Sequence, residues 1–310
     1  MLLILLFALG KASVKPTNLE AFLRRRRMPD RSFDLSCVQL DVTPVLSGLR
    51  TLLLSLDDGG NHFGPQAPES NQHTHLKNFL QHTPLLEHLR LNFTNRMVTP
   101  SSETGSESFL RWLGTPFGVA TKIEPPPIAL DHLTTLDIGM LTLMPKTLLQ
   151  VVSKCAKLER LSLWKVLLSC SEDRNESVDC LWSVYLPRIA KAFQAPDSVK
   201  RVMIGFAGEE YRGARSDGYR EAKFANKVSV DKNGEKKFEE PQAQVSYRKF
   251  VGSNVQDWLE DLGRRTFVEK LESSDDSEDS EDDEVEDDGG DENDDGEGDE
   301  ADEGEHDVLV

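Results

Sequence analysis

The chain has 310 residues, 38% of them hydrophobic and 29% charged, with a formal net charge of −18. That length accommodates one or two domains with a sizeable core. The charge is uneven: residues 272–310 hold 23 Asp and Glu and no Lys or Arg, which leaves 31 acidic against 36 basic residues in 1–271. A weakly basic folded body carrying an acidic arm follows, and the net charge describes neither part.

The first element is an apolar run, residues 2–9 of MLLILLFALGKAS. It is far shorter than the roughly 20 residues of a spanning helix, so no membrane segment is expected. It resembles the apolar stretch of a secretory leader but lacks a positive region before it; a buried strand or helix is the alternative. The cysteines, Cys37, Cys155, Cys170 and Cys180, form no C-x-x-C pair. Reduced thiols are expected, Cys155 in a helix, and no disulfide between Cys170 and Cys180. Secretion is not favoured, and the expected compartment is cytoplasmic or nuclear. Residues 1–34 read as a poorly defined apolar and basic segment. Its cationic run Arg24, Arg25, Arg26, Arg27 is short for a localisation element.

From residue 35 onward one rhythm recurs. Leu49-Leu52-Leu54, Leu86-Leu89-Leu91, Leu133-Leu136-Ile138, Leu158-Leu161-Leu163 and Val199-Val202-Ile204 are spaced three, then two. Helices step by three and four and strands by two, so each copy reads as a turn entering a strand. Helical faces precede the copies: Leu76, Phe79 and Leu80; Phe109, Trp112 and Leu113; Leu148, Val151 and Val152; Leu181, Val184, Tyr185, Ile189 and Phe193. Pro187 is expected to interrupt or start the last of these helices. One helix-strand unit cannot bury both its faces alone, but stacked units can. The expected fold is therefore α/β, an irregular leucine-rich-repeat solenoid with a parallel sheet, over residues 35–271.

The array is irregular. Copies start 37, 47, 25 and 41 residues apart, and the positions where a repeat normally carries Asn or Cys hold Asp57, Thr94, Leu141, Val166 and Ala207. Inserted loops are expected at 57–74, 94–106 and 124–130. Residues 209–243 have little apolar periodicity and read as a long loop or frayed hairpin. Residues 272–310 have almost no apolar side chains, cannot offset chain entropy by burial, and are expected to be disordered. Within them Ser273, Ser274, Ser277 and Ser280 lie among acids and are phosphorylation candidates.

With P-L-L-E-H-L-R-L at 84–91, L-T-T-L-D-I at 133–138 and C-A-K-L-E-R-L-S-L-W at 155–164, the chain resembles the leucine-rich-repeat region of F-box proteins from filamentous fungi. The resemblance covers about residues 35–265. Residues 245–262 are similar to the strand-then-helix units that end such arrays. In that family an F-box opening near L-P-x-E holds a Skp-type adaptor of a cullin ubiquitin ligase, and the repeats recruit substrate. Residues 1–48 contain no L-P-x-E. The resemblance therefore implies the recognition half, with a Skp-type adaptor as partner only if an F-box lies upstream.

Chemical motifs are missing: no G-x-x-x-x-G-K-[ST], no G-x-S-x-G and no H-E-x-x-H. His62, His73, His75 and His82 lack an acid completing a metal set and read as surface or helix-face residues. Asp57-Asp58-Gly59-Gly60 reads as a turn. No catalytic residue, cofactor or metal is assigned.

The expected function is a non-enzymatic protein-protein interaction scaffold whose partner lies on the concave strand face. Arg50, Ser55, Arg90, Asn92, Asp137, Arg160, Ser162, Trp164 and Arg201 alternate with the inward leucines and are the expected contacts. Trp164 and the arginines are the residue types that dominate interfaces. The alternative resembles the acidic leucine-rich nuclear phosphoproteins, in which the tail binds histones or other basic proteins. Nucleic acid is not favoured, because no aromatic-interleaved basic pattern occurs.

Overall fold

The structure, a computed structural model, describes residues 2–21, 28–37, 41–57, 73–94, 105–118, 125–170, 180–211, 218–230, 232, 236–238 and 246–268. All of these lie in a compact unit, Met1–Glu269, and a second unit is Lys270–Val310. The acidic tail with its four serines, the run 24–27 and most of the expected inserted loops fall outside the described residues.

The chain alternates helices and strands: α1 (Leu2–Lys11), β1 (Asn18–Ala21), α2 (Thr43–Leu46), β2 (Thr51–Asp57), α3 (Thr74–Gln81), β3 (His88–Thr94), α4 (Gly105–Gly114), β4 (Thr135–Leu143), α5 (Pro145–Lys154), β5 (Arg160–Cys170), α6 (Leu181–Ala192) and β6 (Arg201–Gly205). The six strands lie side by side in chain order, every neighbouring pair parallel. The fold is thus mixed α/β with a mostly parallel sheet.

Register follows from the leucine spacing. Leu19, Leu52, Leu89, Leu136, Leu161 and Val202 form one row across the sheet, and Ala21, Leu54, Leu91, Ile138, Leu163 and Ile204 form the next. Apart from half-buried Ala21, both rows are buried with the apolar stripes of the helices in one core. Each such side chain stabilises the fold by about 2 kcal/mol relative to exposure.

The turn before each strand rests on the turn before it. The carbonyl of Thr17 accepts the amides of Arg50 and Thr51; that of Arg50 accepts Glu87 and His88. Glu87 accepts Thr134 and Thr135, Thr134 accepts Glu159 and Arg160, and Glu159 accepts Lys200 and Arg201. The leading residues Leu49, Leu86, Leu133, Leu158 and Val199 are all buried beneath these bonds.

Helices α3, α4 and α5 have ends satisfied from neighbouring segments, whereas α7 is capped locally by Asn254. The Asp30 carboxylate accepts the amides of His75 (3.1 Å) and Leu76 (2.9 Å) at the start of α3. Glu107, buried on α4, accepts the Met144 amide at 2.8 Å and the Thr147 hydroxyl at the start of α5. In return Lys154, in the last turn of α5, donates to the carbonyls of Leu113 (2.8 Å) and Thr115 (2.5 Å) at the end of α4. These contacts place negative charge at helix N-termini and positive charge at a C-terminus, as the peptide dipoles favour.

After β5 the sheet forks. The first half of β5 pairs with β6 and its second half with β7 (Gly208–Tyr211). On one branch β11 (Tyr247–Val251) pairs antiparallel with β6. On the other, β8 (Gly218–Phe224) pairs antiparallel with β7, and β12 (Thr266–Val268) antiparallel with β8. β9 (Val228–Val230) and β10 (Lys236–Phe238) form a separate antiparallel pair. Helix α7 (Val255–Arg264) runs between β11 and β12 and packs on α6. Arg248 of β11 donates to the Phe224 carbonyl and to Asn226 Oδ1, and Arg265 donates to the Ala225 carbonyl. Arg248 thus ties the branches together, and Arg265 closes the β8–β12 end of one of them.

Several expectations change here. Residues 1–34 are not undefined throughout: α1 buries Leu2 and Leu6, and β1 is the edge strand of the sheet. Ile4, Leu5 and Phe7 of α1 stay exposed. Residues 209–243 hold strands, so the hairpin alternative is found twice. Their apolar periodicity is weak because these strands are short and lack a leucine stripe, although β7 pairs parallel with β5 and packs on α6. The 245–262 unit does give a strand and a helix, but its strand runs antiparallel to β6. Pro187 sits inside α6 without ending it. Proline removes the amide that would meet the Ser183 carbonyl, and α7 crosses at that point: a Cβ on Gly263 would lie 2.8 Å from that oxygen and 2.9 Å from Pro187 Cδ. Among the described residues no helix is long and apolar enough to cross a membrane.

His73 is buried at the start of α3 with a left-handed backbone, φ 57°. Its ring packs edge-on against Phe93 and Phe109, and neither nitrogen has a hydrogen-bond partner. Loss of solvation pushes its pKa down to about 4; Asp30 and Asp57 oppose that and Lys77 assists it. The folded chain therefore keeps the ring neutral, whereas the unfolded chain takes a proton below about pH 6.5. This stabilisation is complete above that pH and is lost as pH falls toward 4, with a ceiling on the order of 3 kcal/mol. In urea titrations at neutral pH and near pH 4.5, His73→Asn, which tolerates the backbone but does not titrate, will show a smaller loss of stability on acidification than the parent. Separately, Glu107→Ala, which strips α5 of its carboxylate cap, will cost about 2 kcal/mol by the same method.

Candidate functional site

The face of the sheet opposite the leucines carries three rows of side chains fixed by the same register. From β3 to β11 the first runs His88, Thr135, Arg160, Arg201, Val251; the second Arg90, Asp137, Ser162, Met203, Lys249; the third Asn92, Gly139, Trp164, Gly205, Tyr247. Ser55 of β2 continues the third row beside Asn92. The strands therefore bring together eight of the nine expected contact residues. Arg50 is the exception: it lies in the turn before β2, where its guanidinium pairs with the Glu87 carboxylate of the next turn.

The centre of this face is polar and internally satisfied. Asp137 Oδ2 accepts from His88 Nε2 at 3.0 Å and from Arg90 Nε at 2.9 Å, with Arg90 Nη2 at 2.8 Å. Burial raises the energy of the Asp137 carboxylate, but the hydrogen bonds from His88 and Arg90, with their charges, outweigh it and hold the carboxyl below its ordinary range. The cluster braces the β3–β4 join.

Toward β6 and β11 the face becomes aromatic. The Trp164 ring meets Phe206 edge-on at 4.8 Å and Tyr247 at 6.1 Å. Phe206 and Tyr247 are 38% and 37% exposed, so this cluster meets solvent at the fork of the sheet. Gly205 permits it: a Cβ there would lie 2.5 Å from Trp164 Cζ3. At the equivalent place in β4, a Cβ on Gly139 would lie 2.8 Å from both Asn92 Oδ1 and the Trp164 carbonyl. Small residues on either side thus leave room for one large ring.

Three aligned backbone kinks shape this end. Met140, Lys165 and Phe206 have φ of 61°, 53° and 50° and follow Gly139, Trp164 and Gly205, which are register partners. In each strand the outward-row residue is followed by a second residue that is not buried, Met140, Lys165 or Phe206, before the buried pattern resumes at Leu141, Val166 and Ala207. Those last three are the positions where the expected repeat would carry Asn. They are apolar because the chain continues as strand there, into the second half of β4, of β5 and into β7. A left-handed non-glycine residue costs about 1–2 kcal/mol, and three at one level mark this part of the face for attention.

Phe206, Tyr247, Met203, Lys165 and Lys249 were not among the expected contacts. The kink was detectable in sequence as an apolar pattern resuming three residues after Ile138, Leu163 and Ile204 instead of two. The antiparallel addition of β11 leaves no local spacing signal.

The remaining candidates do not converge. His75 Nδ1 lies 3.5 Å from Asp34, His82 Nδ1 lies 3.2 Å from the Thr43 hydroxyl, and His73 is enclosed by phenylalanines. Among the described residues no group of three or more His, Cys, Asp or Glu side chains could hold a metal ion. Cys155 and Cys180 are free and buried, and Cys180 donates to Glu209 Oε1 at 3.1 Å, beside the Trp182 amide at the start of α6. Burial, then the Glu209 charge, pushes the Cys180 thiol up, which keeps it protonated and donating.

No protein-family model matches the chain, and no curated protein or solved structure is similar to it.

Removing Asp137 leaves two donors of the outer face without their acceptor. Asp137→Ala is expected to lower unfolding free energy by about 1–3 kcal/mol in urea titration, with helix content by circular dichroism unchanged.

Proposed function

We propose that this chain is a non-enzymatic protein-interaction scaffold: an irregular leucine-rich-repeat solenoid whose outer strand face receives a protein partner. In this reading it resembles the substrate-recognition part of an F-box ubiquitin-ligase receptor. The observation that carries the proposal is the aromatic cluster of half-buried Trp164 with exposed Phe206 and Tyr247 on an in-register ladder. Interface energy concentrates in such residues, and it costs least where the backbone is already ordered. Parallel strands with both neighbours filled offer side chains and not a free backbone edge, so recognition runs through the three outward rows.

The charge distribution favours a second reading. The 23 acidic residues of 272–310 follow a body with a small basic excess, and such an arm suits histones or other basic proteins.

Affinity capture from lysate, read by mass spectrometry, separates the two. The baits are the full chain, a chain ending at Leu271, and full-length Trp164→Ala. Under the first reading, partners are shared by the full and shortened chains and lost with Trp164→Ala; a Skp-type adaptor and a cullin among them would specify the ligase role. Histones or ribosomal proteins captured by the full chain alone, and unaffected by Trp164→Ala, would instead make the tail the binding element.

A further inference from the structure

We infer that the β5–β6–β11 end of the outer face binds an acidic peptide segment carrying a large apolar side chain; this rests on the scaffold reading and names its partner's chemistry. Arg160 and Arg201 are direct register partners on adjacent parallel strands, and both are exposed. Like charges placed opposite each other repel. Neither has an ion-pair partner among the described residues, and the nearby acids are committed elsewhere: Asp137 to His88 and Arg90, Glu159 to Lys200. Lys249 is exposed one row further along, beside Met203, and exposed Lys165 reaches over the Phe206 ring at 5.9 Å. Arg160, Arg201 and Lys249 thus lie along the strands that lead to the aromatic cluster, Lys165 lies over its Phe206 ring, and among the described residues no carboxylate pairs with any of the four.

The apolar half of the signal is equally specific. Val251, 64% exposed, pairs with Arg201, and half-buried Met203 lies between Ser162 and Lys249. Trp164 stands edge-on to Phe206 at 71° and to Tyr247 at 64°. Those ring edges offer an apolar contact for one side chain of a partner, whereas nucleic-acid bases need open ring faces to stack on. The kinks at Lys165 and Phe206 hold both residues on this side. Acidic side chains beside an apolar anchor match the cations beside the aromatic cluster, and such pairing sets specificity and encounter rate.

Fluorescence anisotropy with the full-length protein tests this. The probe is a short labelled peptide of Asp and Glu around a central Phe. Controls replace the acids by Lys, replace the Phe by Ser, or use an oligothymidylate of equal length. The acidic Phe peptide is expected to bind best and to weaken as salt rises from about 0.05 to 0.5 M. Arg160→Glu with Arg201→Glu is expected to weaken it at least about tenfold, as is Trp164→Ala. Lys249→Glu is expected to weaken it less. All three cations are exposed, so melting temperature should be unchanged and any loss belongs to binding. The inference is overturned if the Lys peptide binds as well, if the double reversal has no effect, or if the oligothymidylate binds more tightly. In lysate capture, a partner lost with Trp164→Ala but kept by the double reversal overturns the acidic partner and leaves the scaffold reading standing. Capture indifferent to both variants removes the scaffold reading as well.

Discussion

One carbonyl per unit sets the register of this molecule. Each turn entering a strand offers an oxygen that accepts two successive amides of the next turn, from Thr17 through Arg50, Glu87 and Thr134 to Glu159. With those bonds in place the two leucine rows must fall on the same face in every strand. A slip of one residue would turn both rows to solvent and bury Arg90, Asp137 and Arg160. The spacing between copies varies from 25 to 47 residues, yet the register does not, because the extra length enters between the strands and not within the bonded turns.

The helices depend on the same stacking for their ends. Asp30, Glu107 and Glu209 each bring a carboxylate to the start of a helix to which they do not belong, and Lys154 closes the end of α4. Buried carboxylates are costly unless hydrogen-bonded, and here the helix termini supply the donors. The proline inside α6 is accommodated in a related way: Gly263 of α7 packs closely where the helix lacks a hydrogen bond. The fork after β5 arises on the far side: β6 and β7 keep one register on β5, but β11 takes the outer edge of β6 and β8 that of β7.

Sequence periodicity carries the repeated part of this architecture well and the exceptions poorly. The five turn-strand copies and the helices before them were legible because burial imposes a spacing that survives irregular loops. The Pro187 helix was misjudged because local preference is overridden by packing of α7, which no local spacing reports. The β7–β8 and β9–β10 hairpins were obscured by short strands without a leucine stripe. On the candidate site, eight of nine expected residues share the face since alternation alone places them. Arg50 does not, because it belongs to the turn and not to the strand. Phe206 and Tyr247 reach Trp164 only through the kink and the antiparallel β11, and His73 is enclosed by rings from β3 and α4 whose meeting is a tertiary fact.

The exchange of caps between neighbouring helices bears on how the body comes apart. In arrays whose units touch only through apolar contacts, terminal units can fray while the rest holds, and stability is close to a sum over units. Here α4 and α5 complete each other's ends, α3 is completed by Asp30 upstream, and α6 by Glu209 downstream. Separating any of these partners leaves an unmet helix terminus, and at Glu107 and Glu209 it exposes a buried carboxylate as well. Dissolution of one unit is therefore charged to its neighbour as well, and the described body is built to open as a cooperative whole, with one sharp transition where a simple stack would fray from its ends.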